Sequence, residues 1–211
     1  MSLPVIVLGA GGHAKVLIDA LLESSAVIAG VLDPAPELVG TSVLGVPVLG
    51  NDNIAVEFPP SEVQLVNGLG SVGTPARRRQ LYDKFKALGY GFATVVHPSA
   101  IVASDVVLGE GAQVMAGSII QPGCSIGCNC IINTRASIDH DCIVGDHAHI
   151  APGVTLSGGV SVGEATHIGT GAIVIQGISI GINAVVAAGA VVVKDIPART
   201  KVRGVPAREF A

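Results

Sequence analysis

Aliphatic residues recur at every sixth position over the carboxyl-terminal half of the chain. The series begins at Val96 and reaches Val192 with seventeen members and no insertion. A second position, four residues after each aliphatic one, holds Ala, Val, Ser, Cys, Thr or Ile and never a charged residue. A helix would repeat near 3.6 residues and an ordinary strand near two, so a period of six indicates a different geometry.

Short parallel strands separated by tight turns account for this period. Three hexads close one triangular coil, and the two inward positions stack from coil to coil. The pattern therefore predicts a β-solenoid, a parallel β-helix of between five and six coils. Cys124 and Cys142, 18 residues apart, are interpreted as compact inward fillers that lie one above the other. The spacing leaves the handedness of the coil open.

The amino-terminal region follows different rules. PVIVLGAGGHAKVLIDALL is typical of a buried strand, a glycine-rich turn and a helix, and AVIAGVLD of a second strand that ends at Asp33. VQLVNGLG predicts a further strand and turn, and the stretch after it predicts a helix with Thr74 as N-cap and Gly89 at its end. This order favours a small Rossmann-like parallel α/β domain.

The predicted fold class is therefore α/β plus β-solenoid. A Rossmann-like nucleotide-sugar-binding domain is expected over residues 1–93, a β-helix over 94–197 and a C-terminal tail over 198–211. This division follows the change from a mixed pattern of strands and helices to the uninterrupted period of six.

Composition and charge narrow the possible functions. Aromatic residues make up 3% of the chain, and 28 residues are Gly, which suits a narrow aliphatic core. The net charge of -4 and the absence of a long basic run argue against nucleic acid as a partner. The one basic cluster, residues 77–79, is interpreted as a turn of a solvated helix. We expect a cytoplasmic protein, because no window of about 18 apolar residues and no secretory signal is found.

The glycine-rich turn is a candidate phosphate site. Gly11 and Gly12 let the backbone pass close to a ligand, and the helix that follows offers free N–H groups. Ala14 stands where the dinucleotide fingerprint has its third glycine, so a nucleotide or nucleotide sugar is favoured over a nicotinamide cofactor. Its pyrophosphate would lie near Gly11 to His13, with a polar group at Asp33. A tight turn that binds nothing is the alternative.

The stretch SIDHDCIVGDHAHIAPG concentrates histidines and aspartates within the repeat. His140 follows the inward Ile138 by two residues, so it is predicted at an exposed corner between Asp139 and Asp141. A neighbouring carboxylate can orient an imidazole and raise its basicity, which suits a general base. A solvated surface histidine is the alternative interpretation.

Two other histidines lie on a different wall of the predicted prism. His149 and His167 are 18 residues apart, so they are expected to stack on the outer face of one wall in adjacent coils. The corner that carries His140 is opposite that wall. If these histidines share a site, two subunits must build it.

Arg135 is the only Lys or Arg between Lys86 and Lys194. It is predicted, with Asn133, at the corner that starts from the wall of His149. Its side chain either keeps the surface soluble or contacts an anionic ligand or a neighbouring subunit.

Several motifs together resemble one family. They are VLGAGGHAK, HPSAIV, IINTRASIDHDCIVGDHAHIAPG, GGVSVGE, THIGTGAIV and VRGVPAR. They resemble the sialic-acid and bacillosamine-type sugar acetyltransferases among the left-handed, hexapeptide-repeat β-helix proteins, and the likeness covers nearly the whole chain. The resemblance implies a homotrimer with sites between subunits that transfers acetyl from acetyl-CoA to a sugar, often nucleotide-linked. No metal is expected.

The resemblance also implies three sets of site residues. His140 would be the base, and Asp141, which stands where Glu is frequent, would orient its imidazole. The contacts to the nucleotide and the acceptor would be Gly11, Gly12, His13, Asp33, Gly70, Asn133 and Arg135. The contacts to coenzyme A, from the thioester to the phosphates, would be His149, Gly158, Gly171, Lys201 and Arg203. Arg135 stands where Gly is expected and could alter the acceptor site.

The predicted reaction is direct transfer of acetyl to the amino group of a nucleotide-linked amino sugar of the UDP-4-amino-sugar type, with His140 as general base. O-acetylation of a sialic-acid type acceptor is an alternative. A zinc hydration enzyme would instead use His149 and His167 with His140 of the partner subunit as metal ligands. A noncatalytic sugar-nucleotide binding protein would bind ligand without releasing thiol from acetyl-CoA.

Overall fold

A five-stranded sheet forms the amino-terminal part of the structure, a computed structural model that describes residues 3–210. Its elements are β1 Val5–Leu8, α1 Gly12–Glu23, β2 Ile28–Leu32, β3 Ser42–Val43, β4 Val46–Gly50, β5 Gln64–Asn67 and α2 Ala76–Ala87, with short 3-10 helices at Pro36–Leu38 and Asp52–Glu57. The strand order is β3-β4-β2-β1-β5. All neighbours are parallel except β3 and β4.

Both faces of this sheet are covered, which explains the continuous apolar run of β1. Val7 packs in one cluster with Leu17 of α1, whereas Leu8 packs in a second cluster with Phe85 of α2. Successive side chains of a strand point to opposite faces, so the two helices lie on opposite sides of the sheet. The α2 N-terminus is capped by Thr74, whose Oγ1 accepts a hydrogen bond from the N–H of Ala76 at 3.3 Å.

The carboxyl-terminal part is a left-handed parallel β-helix, as predicted. Its two-residue strands are β6 Val95–Val96, β7 Ile101–Val102, β8 Val107–Leu108, β9 Gln113–Val114, β10 Ile119–Ile120, β11 Ser125–Ile126, β12 Ile131–Ile132, β13 Ser137–Ile138, β14 Ile143–Val144, β15 His149–Ile150, β16 Thr155–Leu156, β17 Ser161–Val162, β18 His167–Ile168, β19 Ile173–Val174, β20 Ser179–Ile180, β21 Val185–Val186 and β22 Val191–Val192. Two further strands, β23 Lys201–Arg203 and β24 Arg208–Glu209, follow.

These strands form three walls, in which each strand pairs with the strand 18 residues further on. The first wall contains β7, β10, β13, β16, β19 and β22. The second contains β8, β11, β14, β17 and β20, and the third contains β6, β9, β12, β15, β18, β21, β23 and β24. The register is regular: Ile132 lies beside Ile150, and His149 lies beside His167.

The predicted inward positions form the core of the prism from the second coil onward. Every sixth residue from Val114 to Val192 is at most 2% exposed. The prediction is wrong for Val96, which is 37% exposed, because no coil lies beneath the first one. Its neighbour Val95 is buried instead, in the cluster that contains α1.

The α/β part covers the third wall. Outward residues of this wall, among them Gln113 and Ile131, are buried beneath it. Two ion pairs tie α2 to the coil: Lys86 to Glu110 at 2.8 Å and Arg79 to Glu164 at 2.6 Å. Within residues 3–210, no helix has the length and apolar character needed to cross a membrane.

Arg78 corrects the interpretation of the basic cluster as solvated. Its side chain is 1% exposed, although Arg77 and Arg79 on either side are exposed. The middle residue of the three lies on the helix face that meets the coil, where the guanidinium donates to backbone carbonyls.

Candidate active site

His140 lies at the corner between the first and second walls, with its side chain exposed. Its Nδ1 is 2.8 Å from Oδ2 of Asp141, and its backbone N–H donates to Oδ1 of Asp139 at 2.8 Å. The hydrogen bond from Asp141, supported by the charge of Asp139, raises the pKa of His140. Because Nδ1–H donates to the carboxylate, Nε2 of the neutral ring carries the lone pair that a general base needs.

Gly158, one coil further along the same corner, leaves room for this ring. A Cβ atom at Gly158 would lie 2.5 Å from Cε1 and from Nε2 of His140. Contacts this short essentially never occur with real Cβ atoms. The absence of a side chain at Gly158 therefore permits the observed orientation of the imidazole.

His149 projects outward from the third wall but is 8% exposed, because the loop after β5 covers it. Its Nδ1 donates to the carbonyl oxygen of Ser71 at 2.7 Å, and its Nε2 accepts from Nδ2 of Asn133 at 3.1 Å. The rings of His149 and His167 meet edge to face, with centroids 4.9 Å apart. Burial, and to a lesser extent His167, lowers the pKa of His149 to about 3, so this ring is neutral.

The structure brings His149 and Asn133 into contact but separates both from His140 within one subunit. The corner of His140 joins the first and second walls, and His149 belongs to the third. Arg135, beside Asn133, adopts a φ of 57°, the left-handed conformation that Gly117 and Gly153 adopt at the same corner of neighbouring coils. This conformation favours glycine, which agrees with the expectation of Gly at this position.

A cavity of about 500 Å³ lies at the carboxyl ends of β1, β2 and β5. Ligands of open α/β sheets bind at this edge, and the volume is in the usual range for small-molecule sites. The lining residues are Gly9, Asp33, Pro34, Asp52, Leu69, Gly70, Arg77, Gln80, Leu81 and Lys84. Of the predicted nucleotide contacts, Asp33 and Gly70 line this cavity, and Gly11, Gly12 and His13 are not among the lining residues.

Asp33 ties the glycine-rich turn to the end of β2. Its Oδ2 accepts from the N–H of Ala10 at 2.7 Å, and its Oδ1 accepts from the N–H of Ala35 at 2.9 Å. His13 is directed toward the coil instead, with Nε2 at 2.8 Å from Oε1 of Gln113. Burial lowers the pKa of His13 to about 4, and the charge of Arg78 adds to this effect.

Comparison with known proteins agrees with this architecture. The family described as the PglD N-terminal domain matches residues 4–85, and the bacterial transferase hexapeptide family matches residues 123–158. A solved structure of perosamine N-acetyltransferase from Caulobacter crescentus, in complex with CoA and GDP-perosamine, is 40% identical with a TM-score of 0.91. The alignment covers 99% of this chain and 97% of that one. The chain belongs to the bacillosamine-type hexapeptide sugar N-acetyltransferases.

Two other members of this acetyltransferase family support the assignment. The acetyltransferase domain of PglB from Neisseria gonorrhoeae FA1090 is 34% identical, with a TM-score of 0.91, over 99% of this chain and 100% of that one. It has also been solved with acetyl coenzyme A. UDP-N-acetylbacillosamine N-acetyltransferase from Bacillus subtilis (strain 168) is 41% identical over 116 residues, which are 53% of this chain. The match spans about half of that protein, 51% of its length.

The residues expected to contact coenzyme A are dispersed in this member of the family. Gly158 is beside His140, whereas Gly171 lies at the corner between the third and first walls and contacts no other side chain within 4 Å of its ideal Cβ position. Lys201 and Arg203 are exposed in β23 at the end of the third wall, where Arg203 lies over the Phe210 ring at 4.7 Å. A single subunit therefore does not gather these residues around one cavity.

Sequence reasoning missed one face of α2 that lines the cavity. This face carries Arg77, Gln80, Leu81 and Lys84, and Lys84 pairs with Asp52 at 3.2 Å. The spacing i, i+3, i+4, i+7 places these four side chains on one side of a helix. That spacing was a usable signal, but the interpretation of the arginine cluster as solvated obscured it.

The geometry gives no support to a zinc site at His149. Both of its ring nitrogens are engaged, by Ser71 and Asn133. Among the residues described, Asp19, Glu23 and His97 form a group with the spacing of metal ligands. However, Nδ1 of His97 accepts from the backbone N–H of Ser99 at 3.0 Å, so its Nε2 carries hydrogen and faces Glu23 at 3.3 Å.

The buried histidines predict a loss of stability in acid. His13 and His149 have folded pKa values of about 4 and about 3, below the value of about 6.5 in an unfolded chain. The unfolded state then binds more protons, so stability is complete above about pH 6.5 and falls as the pH drops toward 4. At about pH 5 each histidine should cost about 2 kcal/mol. Urea unfolding at about pH 7.5 and pH 5 measures the difference.

The matched variants for this measurement are His149→Gln and His140→Gln. The first should remove about half of the pH dependence, because glutamine does not titrate. The second should leave the pH dependence intact, because His140 is exposed. Equal unfolding midpoints for the unsubstituted protein at the two pH values would contradict the assignment of neutral buried rings.

Proposed function

We propose that this protein transfers acetyl from acetyl-CoA to the amino group of a nucleotide-linked amino sugar, with His140 as general base. The observation that carries the proposal is the exposed imidazole of His140, bound through Nδ1 to Asp141 and free at Nε2. The relatives support the substrate class, because one is named for UDP-N-acetylbacillosamine and another was solved with CoA and GDP-perosamine.

The proposed reaction is a direct transfer within a ternary complex. The amine nitrogen attacks the thioester carbonyl carbon, a C–N bond forms, and the C–S bond breaks. Nε2 of His140 takes the proton from the amine and returns it to the departing thiolate, while Asp141 stabilises the transient imidazolium. Positioning of the two substrates supplies much of the remaining acceleration.

The cysteine of this region does not favour a covalent acetyl-enzyme. Cys142 faces into the prism and is fully buried, and burial raises the pKa of its thiol to about 11. A thiol that is protonated and shielded from the substrates is a poor nucleophile. Direct attack by the acceptor amine is therefore the simpler path.

The nucleotide is proposed to occupy the cavity at the sheet edge. Asp33 and Gly70 form part of its wall, and Arg77 on α2 offers a cation to the phosphates. The exposed Gly11 and Gly12 begin α1, where free N–H groups favour an anion. His13 would act from behind this turn, through its contact with Gln113.

We also propose that the complete site forms between subunits of a homotrimer. His140 and the pair Asn133 and His149 lie on opposite sides of one prism, so one subunit presents two separate halves of a site. The outer faces of the first two walls carry exposed aliphatic side chains, including Ile101 and Ile143. Apolar surfaces of this kind are typical of protein interfaces. Arg135 would then stand at the edge of the acceptor site.

Coenzyme A is proposed to lie along this boundary. Its thioester would be near His149 and Gly158, and its chain would pass Gly171. Lys201 and Arg203, both exposed at the end of the third wall, offer positive charge to its phosphates.

A thiol-release assay tests the proposed function. UDP- and GDP-linked 4-amino sugars are offered with acetyl-CoA, and we expect stoichiometric release of CoA thiol and a product heavier by one acetyl group. A free sialic acid tests O-acetylation in parallel. Binding of a nucleotide sugar without thiol release from any acceptor would contradict the enzyme proposal and favour a noncatalytic binding protein.

A further inference from the structure

Arg78 is a buried cation without a carboxylate partner among residues 3–210. Its Nη1 donates to the carbonyl oxygens of Asn67 at 2.8 Å and Leu69 at 2.7 Å, and its Nε donates to the carbonyl of Asn129 at 3.3 Å. Its Nη2 is buried without a hydrogen-bond partner. Burial of an arginine without an opposite charge is costly, so its presence here calls for a specific role.

The carbonyls that Arg78 binds belong to residues 67–71, which we name the coupling loop. Asn67 is also held from the coil, because Nε2 of Gln113 donates to its carbonyl at 2.8 Å. Its Nδ2 donates back to the carbonyl of Arg78 at 2.9 Å and to Oδ1 of Asn129 at 3.2 Å. The start of the coupling loop is thus fixed to α2 and to the β-helix at once.

The coupling loop serves both halves of the proposed site. Leu69 and Gly70 line the cavity at the sheet edge, and the next residue, Ser71, accepts the hydrogen bond from Nδ1 of His149. That bond determines which nitrogen of the neutral imidazole carries hydrogen, since Nε2 accepts from Asn133. A shift of this short segment would therefore disturb the cavity wall and the tautomer of His149 together.

We propose that Arg78 is a positioning residue that acts through the coupling loop on both the nucleotide cavity and His149. An arginine suits this role, because its planar donors can bridge two loop carbonyls and a third on the coil, whereas a lysine ammonium cannot hold the same set in fixed geometry. The naming of the two sites rests on the proposed function. The charge of Arg78 also contributes, after burial, to lowering the pKa values of His13 and His149.

The test compares Arg78→Met and Arg78→Lys with Arg79→Met as the matched control. Arg79 is the adjacent residue of α2, but it is exposed and pairs with Glu164. ¹⁵N NMR of the histidine rings in the full chain reports the tautomer of His149 directly. We expect one neutral Nδ1–H form in the unsubstituted protein and in Arg79→Met from about pH 5 to pH 8, and a mixture of tautomers in both Arg78 variants.

The kinetic expectation is a rise of about tenfold or more in KM for the nucleotide sugar in Arg78→Met, together with a lower kcat. Arg79→Met should stay within about twofold of the unsubstituted protein. A folded Arg78→Met protein with unchanged His149 signals and unchanged KM would overturn the proposal. If the methionine variant does not fold, the lysine variant decides, because unchanged His149 signals there would also overturn it.

The NMR measurement separates this inference from the proposed function. It needs no turnover, so the tautomer of His149 can be compared even if no amino sugar is acetylated. Failure of the thiol-release assay would then reject the enzyme activity, whereas an unperturbed His149 in the Arg78 variants would reject the positioning role.

Discussion

Replacement of His140 by alanine is expected to lower kcat by roughly 10²–10⁴, the usual contribution of a positioned general base. The imidazole is exposed, and its hydrogen bond joins it to Asp141 within the same corner, so the fold should be unaffected. Thiol release measures the rate, and circular dichroism confirms the fold. An alanine variant that keeps the full rate would exclude His140 as the base.

Asp141→Asn provides the matched control for the electrostatic part of this argument. The carboxylate raises the pKa of His140, so its removal should lower that pKa. The base then stays neutral to a lower pH, and the acid limb of the kcat/KM profile should move down. A profile that does not move would separate Asp141 from the titration of the base.

Mixing of inactive subunits tests whether the site lies between subunits. His140→Ala removes one half and Asn133→Ala the other, so each homotrimer should be impaired. Mixed trimers contain some boundaries with both residues intact, and part of the activity should return after the two proteins are unfolded and refolded together. If both halves came from one subunit, no mixture could restore activity.

Gly158→Ala is expected to lower kcat by roughly 10²-fold, because the new methyl group forces the His140 ring out of position. The ideal Cβ position lies 2.5 Å from two atoms of that ring. Gly158 is not among the residues with positive φ, so alanine fits the backbone, and the ring can move at modest cost. Steady-state kinetics should show the loss in kcat. Ser157→Ala, the preceding residue at the same corner, is the control and should change little.

The double variant His140→Ala/Gly158→Ala shows whether the effect passes through the imidazole. If the methyl group acts only by displacing His140, it should cost nothing further once that side chain is absent. An additional loss, seen as a higher KM for acetyl-CoA, would instead place Gly158 in direct contact with the thioester substrate.

The period of six was sufficient to predict most of the β-helix. Inward residues, wall membership and the separation of His140 from His149 follow from counting, because each coil repeats the same 18-residue path and admits one residue per inward position. Local chemistry at the corners was equally accessible: Asp141 lies directly after His140, and their hydrogen bond spans adjacent residues. The positive φ of Arg135 falls where glycine was expected.

The surroundings of the third wall could not be read from the period. His149 points outward as counted, but the coupling loop covers it, and the distance in sequence between Ser71 and His149 is 78 residues. The choice of Arg78 rather than Arg77 or Arg79 as the buried arginine depends on how α2 is rotated against the coil. No local pattern determines that rotation, since all three residues have the same helix propensity and charge.

The amino-acid sequence by itself determined the two-part architecture, the three-walled coil and the exposed corner with its histidine and aspartate. These features arise from interactions within one repeat or between adjacent repeats. Tertiary structure alone decided that His149 is buried and neutral, that α2 lines the cavity, and that Arg78 joins the two. Each of these depends on packing between segments far apart in the chain, where shape and hydrogen bonding across the contact select one arrangement.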